Sequence, residues 1–257
     1  MPYKVQSFAL TDVGHVRSNN EDSWSQIPDE NFFVLADGMG GHQAGEIASH
    51  EAVAILSRLV KEDKAKPLLS KSVDDIVDIL RQAFYRVNAG VYTLSCQNED
   101  WKGMGTTLCC LIIHPQGAIC AHVGDSRIYR LRSQRLEQLT QDHSLLRELA
   151  DLGQIEEDQT SGGLYRNILT RAIGTEPIVE PTVMVSDIAV GDAFLLCSDG
   201  LSDLLSKADI EKILNQGDDL EENAKKLIKV AKQRGGYDNI TVVLVKVQEQ
   251  YEAQDLS

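Results

Sequence analysis

The chain has 257 residues, 42% of them apolar, enough for one sizeable core or two small ones. Its 39 acidic and 25 basic residues give a formal charge of −14, which argues against a nucleic-acid backbone or an anionic membrane surface as the main partner. No apolar run reaches membrane-spanning length, MPYKVQSFAL lacks a signal-peptide core, and the five cysteines form no C-x-x-C pair, so a cytoplasmic protein with reduced thiols and no membrane insertion is expected.

In chain order, the pattern predicts a strand over 3–10 and a polar segment over 11–20. A hairpin follows: strand 22–27, the turn Pro28-Asp29-Glu30-Asn31, and strand 32–36. The Gly-rich stretch 38–45 opens a helix of about 46–61. A longer helix over 73–97 has Ser72 as a candidate N-cap and Ile76, Leu80, Phe84, Val87 and Val91 at helical spacing. Strands are expected over 105–113, 118–124, 127–132 and 135–139. A short helix at 144–151 precedes an irregular polar stretch, 153–167. A short β-like piece, strand 193–198, helices over 207–215 and 219–233, and a last strand over 239–247 complete the series, before a polar tail at 248–257. Hairpins and helices come in blocks without a βαβ rhythm, which favours antiparallel sheets covered by helices. One domain over 1–247 is expected, with 143–170 as a flap over a site.

Two segments share a form. Phe32-Phe33-Val34-Leu35-Ala36 runs into Asp37-Gly38, and Phe194-Leu195-Leu196-Cys197-Ser198 runs into Asp199-Gly200. Each reads as a buried strand ending in Asp. Asp125 ends the strand at 121–124, and Asp238 begins the last strand. The start of one antiparallel strand lies beside the end of its neighbour, so Asp238 can meet Asp37 and Asp199. In the hairpin, Ile27 pairs with Phe32, which puts Asp22 opposite Asp37. Carboxylates gathered at one edge repel; one stays protonated or cations are recruited. An all-oxygen donor set selects Mg²⁺ or Mn²⁺ over Zn²⁺. Asp-Gly is also an ordinary turn dipeptide, so the pattern alone leaves a metal site and a pair of turns both open.

Arg17 stands four residues before Glu21 and five before Asp22. Beside a cation cluster it is a clamp for phosphate; without one it is a surface arginine. Gly38-Met39-Gly40-Gly41-His42 lacks the Gly-Lys-Ser/Thr of a nucleotide loop. His42 and His143 could move a proton near a site or be plain loop residues. No Cys is followed six residues later by Arg, and no G-x-S-x-G elbow exists, which disfavours a cysteine or serine nucleophile.

These residues resemble the bacterial metal-dependent serine/threonine protein phosphatases, the PPM or type 2C family. The resemblance rests on the motif from Thr11 to Asp22 (TDVGHVRSNNED), on Ala36-Asp37-Gly38-Met39-Gly40-Gly41-His42, Gly103-Met104-Gly105-Thr106-Thr107 and Gly124-Asp125-Ser126-Arg127, and on Thr140-Gln141-Asp142-His143-Ser144, Ser198-Asp199-Gly200 and Gly235-Gly236-Tyr237-Asp238-Asn239. It implies a four-layer α-β-β-α sandwich of two antiparallel sheets flanked by helices, and hydrolysis of phosphoserine and phosphothreonine on proteins. It implies two or three Mn²⁺ or Mg²⁺ ions, with Asp37 bridging two, Asp199 and Asp238 completing the first site, and the Gly38 carbonyl on the second. Glu21 and Asp22 would act through waters, Asp125 with Asp199 would hold a third ion, and Arg17 would bind the substrate phosphate. Substrates would include a serine/threonine kinase and its targets, and a monomer is expected. A non-catalytic phosphoprotein binder and a phosphatase of small phosphoesters are the alternatives. Met39 stands where eukaryotic members carry a His, which leaves the nearby His42 or a metal-bound water as the candidate proton donor. Ser161-Gly162-Gly163-Leu164-Tyr165 replaces the His-Pro that many bacterial relatives have before Arg166-Asn167.

Overall fold

The computed structural model describes residues 3–40, 44–62, 67–154 and 168–250. His42, most of the irregular stretch 153–167 and the end of the tail lie outside the described residues.

One sheet is ordered β1-β11-β10-β7-β8: β1 (Tyr3–Asp12), β11 (Ile240–Glu249), β10 (Ala193–Cys197), β7 (Arg127–Arg132) and β8 (Arg135–Gln138). The other is ordered β2-β3-β5-β6-β9: β2 (Asp22–Ile27), β3 (Phe32–Met39), β5 (Leu108–His114), β6 (Gly117–Val123) and β9 (Thr182–Ser186), with the short β4 (Gly105–Thr106) paired to the end of β3. Every pairing is antiparallel. Helices α1 (Ala44–Glu62) and α2 (Val73–Gln97) cover the second sheet. The short α3 (Leu145–Asp151) follows β8, and α4 (Asp199–Ser202), α5 (Lys207–Leu214) and α6 (Leu220–Gln233) cover the first sheet.

The strand sequences explain this layering. A strand shows alternate residues to opposite faces. In β3, Phe32, Val34 and Ala36 join the core under α1 and α2, while Phe33 and Leu35 enter the core between the sheets. In β10, Leu195 and Cys197 face α5 and α6, while Phe194 and Leu196 face the other sheet. Both faces are buried, so these strands read as continuous apolar runs rather than alternating ones. Three cores follow, one between the sheets and one under each helical layer. Each fully buried Phe or Leu contributes about 1.5–3 kcal/mol. Local signals agree: the Ser72 hydroxyl caps α2 by accepting from Asp75 N, and Ser206 with Asp209 forms a capping box on α5.

Three sequence expectations need correction. Asp37 lies inside its strand rather than at its end, because β4 pairs Gly38 with Thr106 and Met39 with Gly105 and so prolongs β3. Asp199 does not end β10; the strand stops at Cys197, Ser198 turns the chain, and Asp199 opens the one-turn α4, where an acidic residue suits the helix N-terminus. Asp125 and Asp238 each stand two residues outside a strand, after Val123 and before Ile240. The hairpin register is as counted, with Ile27 opposite Phe32 and Asp22 opposite Asp37, although its turn is a 3₁₀ helix closed by a left-handed Asn31.

Candidate active site

Asp37 is held by its own backbone. Its N–H donates to Thr107 Oγ1 at 2.9 Å, and its carbonyl accepts from Thr107 N and from Thr106 Oγ1, both at 2.8 Å. Thr107 Oγ1 also meets Ser126 Oγ at 2.7 Å, tying β3 to the turn that carries Asp125. Gly38 follows because no side chain fits: a Cβ there would stand 2.1 Å from the Gly45 carbonyl at the start of α1.

Asn239 joins the remaining pieces. Its Oδ1 accepts from Glu21 N at 2.8 Å, and its Nδ2 donates to the carbonyls of Val13 and Asn19. The loop bearing Arg17 is thereby fastened to the start of β11. Asp22 Oδ2 accepts from the hydroxyls of Ser198 and Thr241, at 2.8 and 2.6 Å, while its buried Oδ1 has no hydrogen-bond partner.

Arg17, Glu21, Asp37, Gly38, Asp125, Asp199 and Asp238 line one cavity of about 290 Å³, together with Met39, Gly40, Thr107 and Leu169. Asp22, the strand partner of Asp37, is not among the residues that line it. Asp125 and Asp199 also wall a neighbouring cavity of about 330 Å³ that contains Asp203 and Asp142. Burial, and then repulsion from Asp199, Asp22, Asp125 and Asp238, holds the Asp37 carboxyl well above the usual carboxylate range. Asp199 is raised in the same way, by burial and then by Asp125, Asp203, Asp238 and Asp22. Asp22 and Asp125 are each pushed up to about 6, chiefly by burial. At the mouth, Arg17 Nη2 donates to Asp238 Oδ2 at 2.8 Å, and that bond raises the guanidinium further.

The donor set fits hard cations. It is all oxygen, its charges are desolvated and mutually repelling, and one buried carboxylate oxygen lacks a partner. Among the described residues, no three His, Cys, Asp or Glu side chains are already drawn together into a metal-holding group; the carboxylates ring the cavity instead of converging on one point.

His143 is not at this site. It is buried, its ring stacks on His122 with centroids 4.5 Å apart, its Nδ1 accepts from Gly124 N, and its Nε2 faces Thr182 Oγ1 at 2.9 Å. Burial, with His122 and Arg171 nearby, lowers it to about 3, so it stays neutral and positions the turn before Asp125. The sequence reasoning missed Thr107, Ser126, Ser198, Thr241 and Asn239 as supports. A signal was present: Thr241 interrupts a buried apolar strand, and a buried hydroxyl needs a partner.

The fold and the site define a class, phosphatases in which carboxylates carried on two stacked sheets surround a cavity with an arginine at its mouth. Residues 14–244 match the family model described as Protein phosphatase 2C, and the chain belongs to that family. The serine/threonine phosphatase stp of Listeria monocytogenes is 40% identical over 239 residues, which is 92% of this chain and 93% of that protein. Protein phosphatase PhpP of Streptococcus pneumoniae is 37% identical over 248 residues, 94% and 97% of the two chains. Among solved structures, the Mycobacterium tuberculosis serine/threonine phosphatase PstP/Ppp superposes with a TM-score of 0.86 at 36% identity, covering 95% of this chain and 99% of that one. A PstP catalytic domain in complex with two manganese ions superposes at 0.83, again at 36% identity, covering 95% and 99%.

Proposed function

We propose that this enzyme hydrolyses phosphoserine and phosphothreonine on proteins with the help of Mn²⁺ or Mg²⁺ held in the carboxylate cavity. One observation carries the reading: desolvated, mutually repelling aspartates from separate strands and turns line a single cavity with Arg17 at its mouth. Asp37, the Gly38 carbonyl, Asp199 and Asp238 would hold two ions, and Asp125 with Asp199 a third. Glu21 lines the cavity and Asp22 is the strand partner of Asp37. Bound cations there would acidify water at the cavity and neutralise phosphoryl oxygens.

The chain's own residues do the rest. Arg17 exchanges Asp238 for the substrate phosphate, which it can grip with two parallel N–H bonds. The Thr106–Thr107–Ser126 hydroxyls fix the Asp37 backbone, so its carboxylate needs little reorganisation. Ser198 and Thr241 orient Asp22. With cations bound, Asp37 and Asp199 are ionised ligands, so the proton for the leaving seryl or threonyl oxygen has to come from another group, for which His42 is the sequence candidate.

In the cell this reading places the enzyme in the cytoplasm, as a monomer, reversing a serine/threonine kinase. Its four buried cysteines and exposed Cys96 are all free thiols, which suits a reducing compartment. Among the described residues no helix is long and apolar enough to cross a membrane. The test is phosphate release from phosphothreonine and phosphotyrosine peptides with Mn²⁺, Mg²⁺ or chelator. Release from phosphothreonine that needs the metal supports the reading; full activity in Asp37→Asn or Asp199→Asn sinks it.

A further inference from the structure

Resting on that phosphatase reading, we infer that Val16 and Tyr237 form an apolar shelf beside Arg17 that receives an apolar side chain one or two residues from the phosphorylated residue of a substrate protein. Eight large apolar side chains are exposed among the described residues, and three of them, Val13, Val16 and Tyr237, sit on two short loops at 13–17 and 235–238. Such concentration on one spot marks an interaction surface rather than scattered exposure.

The loops are cross-linked on both sides of the shelf. His15 N donates to the Gly236 carbonyl at 2.7 Å, and Arg17 Nη2 donates to Asp238 Oδ2 at 2.8 Å. In sequence, Val16 falls between the first members of these pairs and Tyr237 between the second. The backbones touch, since a Cβ on Gly14 would stand 2.3 Å from the Asp238 carbonyl. Val16 and Tyr237 are nevertheless each 65% exposed. The Tyr237 ring lies against bare backbone: a Cβ on Gly235 would stand 2.4 Å from two ring carbons. An aromatic ring supported in this way offers contact area with little left to order on binding.

The occupant follows from the position. Both shelf residues are next in sequence to residues that line the cavity, Arg17 and Asp238. An extended peptide advances about 3.3–3.6 Å per residue, so with its phosphate at Arg17 the side chains one or two places away pass over Val16 or Tyr237. Val16 and Tyr237 carry no charge and are largely exposed, so an apolar neighbour gains by covering them and a charged one does not.

The test is kcat/KM with Mn²⁺ on a phosphothreonine peptide series carrying Leu, Phe, Ala or Asp at each of the two positions on either side. The wild type should prefer Leu or Phe over Ala at one or more of these positions by about fivefold, as partial burial of one apolar side chain gives. Val16→Ser and Tyr237→Ser should each shrink that ratio, the double variant should bring it near one, and Tyr237→Phe should keep it. Equal rates for Leu and Ala in the wild type, or a preference that survives these substitutions, overturns the inference while leaving the phosphatase reading intact. If the wild type hydrolyses none of the peptides with metal present, the phosphatase reading fails and takes the shelf with it.

Discussion

The aspartates of the cavity are costly residues for the fold and necessary ones for the chemistry, and single substitutions separate the two. Asp37 is buried among four other carboxylates that raise it. Asn keeps its shape and removes the charge. Asp37→Asn should therefore raise the thermal midpoint of the chelator-treated protein and lower activity with Mn²⁺ by at least about a hundredfold. A calorimetric scan beside a phosphopeptide assay checks both, and a variant less stable than the wild type in chelator would count against the repulsion argument. Gly38 is the opposite case. Its Cβ would meet the Gly45 carbonyl at 2.1 Å, and backbone there cannot yield without moving α1. Gly38→Ala should destabilise by about 1–3 kcal/mol, read as a shift of the urea midpoint at unchanged slope.

At the level of elements, much was legible because local signals and register rules coincide. Ser72 before an apolar period marked the start of α2, and turn counting placed Asp22 opposite Asp37. The length of β3 was not legible, because its extension to Met39 depends on pairing with β4, more than sixty residues away in sequence. Nor did His143 show its role, since a His in a polar loop motif looks the same whether it faces solvent or stacks on His122. The burial of His143, with His122 and Arg171 beside it, has a pH consequence. His143 sits at about 3 in the fold, far below an ordinary imidazole near 6.5. Between these values the unfolded chain binds a proton that the native chain does not, so the contribution is whole above about pH 6.5 and is lost as pH falls toward 3. Wild type should lose more stability from pH 6.5 to 4 than His143→Gln, measured by urea unfolding. An imidazole NMR titration should show His143 neutral at pH 5; protonation there would refute the effect of its burial.

Across the whole molecule, two sheets with two buried faces each explain why the motif-bearing strands read as unbroken apolar runs. The layering was legible from the blocks of hairpins and helices, and so was the meeting of Asp37 with Asp199 and Asp238; that this convergence runs between two stacked sheets rather than along one sheet edge was not legible, since no local signal encodes the stacking. That convergence makes global stability a readout of the site. Asp22 and Asp125 are raised to about 6, and Asp37 and Asp199 well above the usual range. A carboxylate with a raised folded pKa contributes fully below its unfolded value near 4 and loses that contribution as pH rises through the folded value. In chelator, these four groups should thus weaken the protein as pH climbs from about 4 past 6, more so than in Asp199→Asn. Cations that bind the native site should reverse the trend. At a Mn²⁺ concentration a hundred times the dissociation constant, binding contributes about 2.7 kcal/mol. For a domain of this size that is a rise of about 5–10 °C in the thermal midpoint, larger at pH 7 than at pH 5, where protons compete for the carboxylates. Asp199→Asn should start from a higher midpoint in chelator and gain much less from Mn²⁺. Equal midpoints with and without Mn²⁺ in the wild type at pH 7 would show that the desolvated acids do not form the metal site.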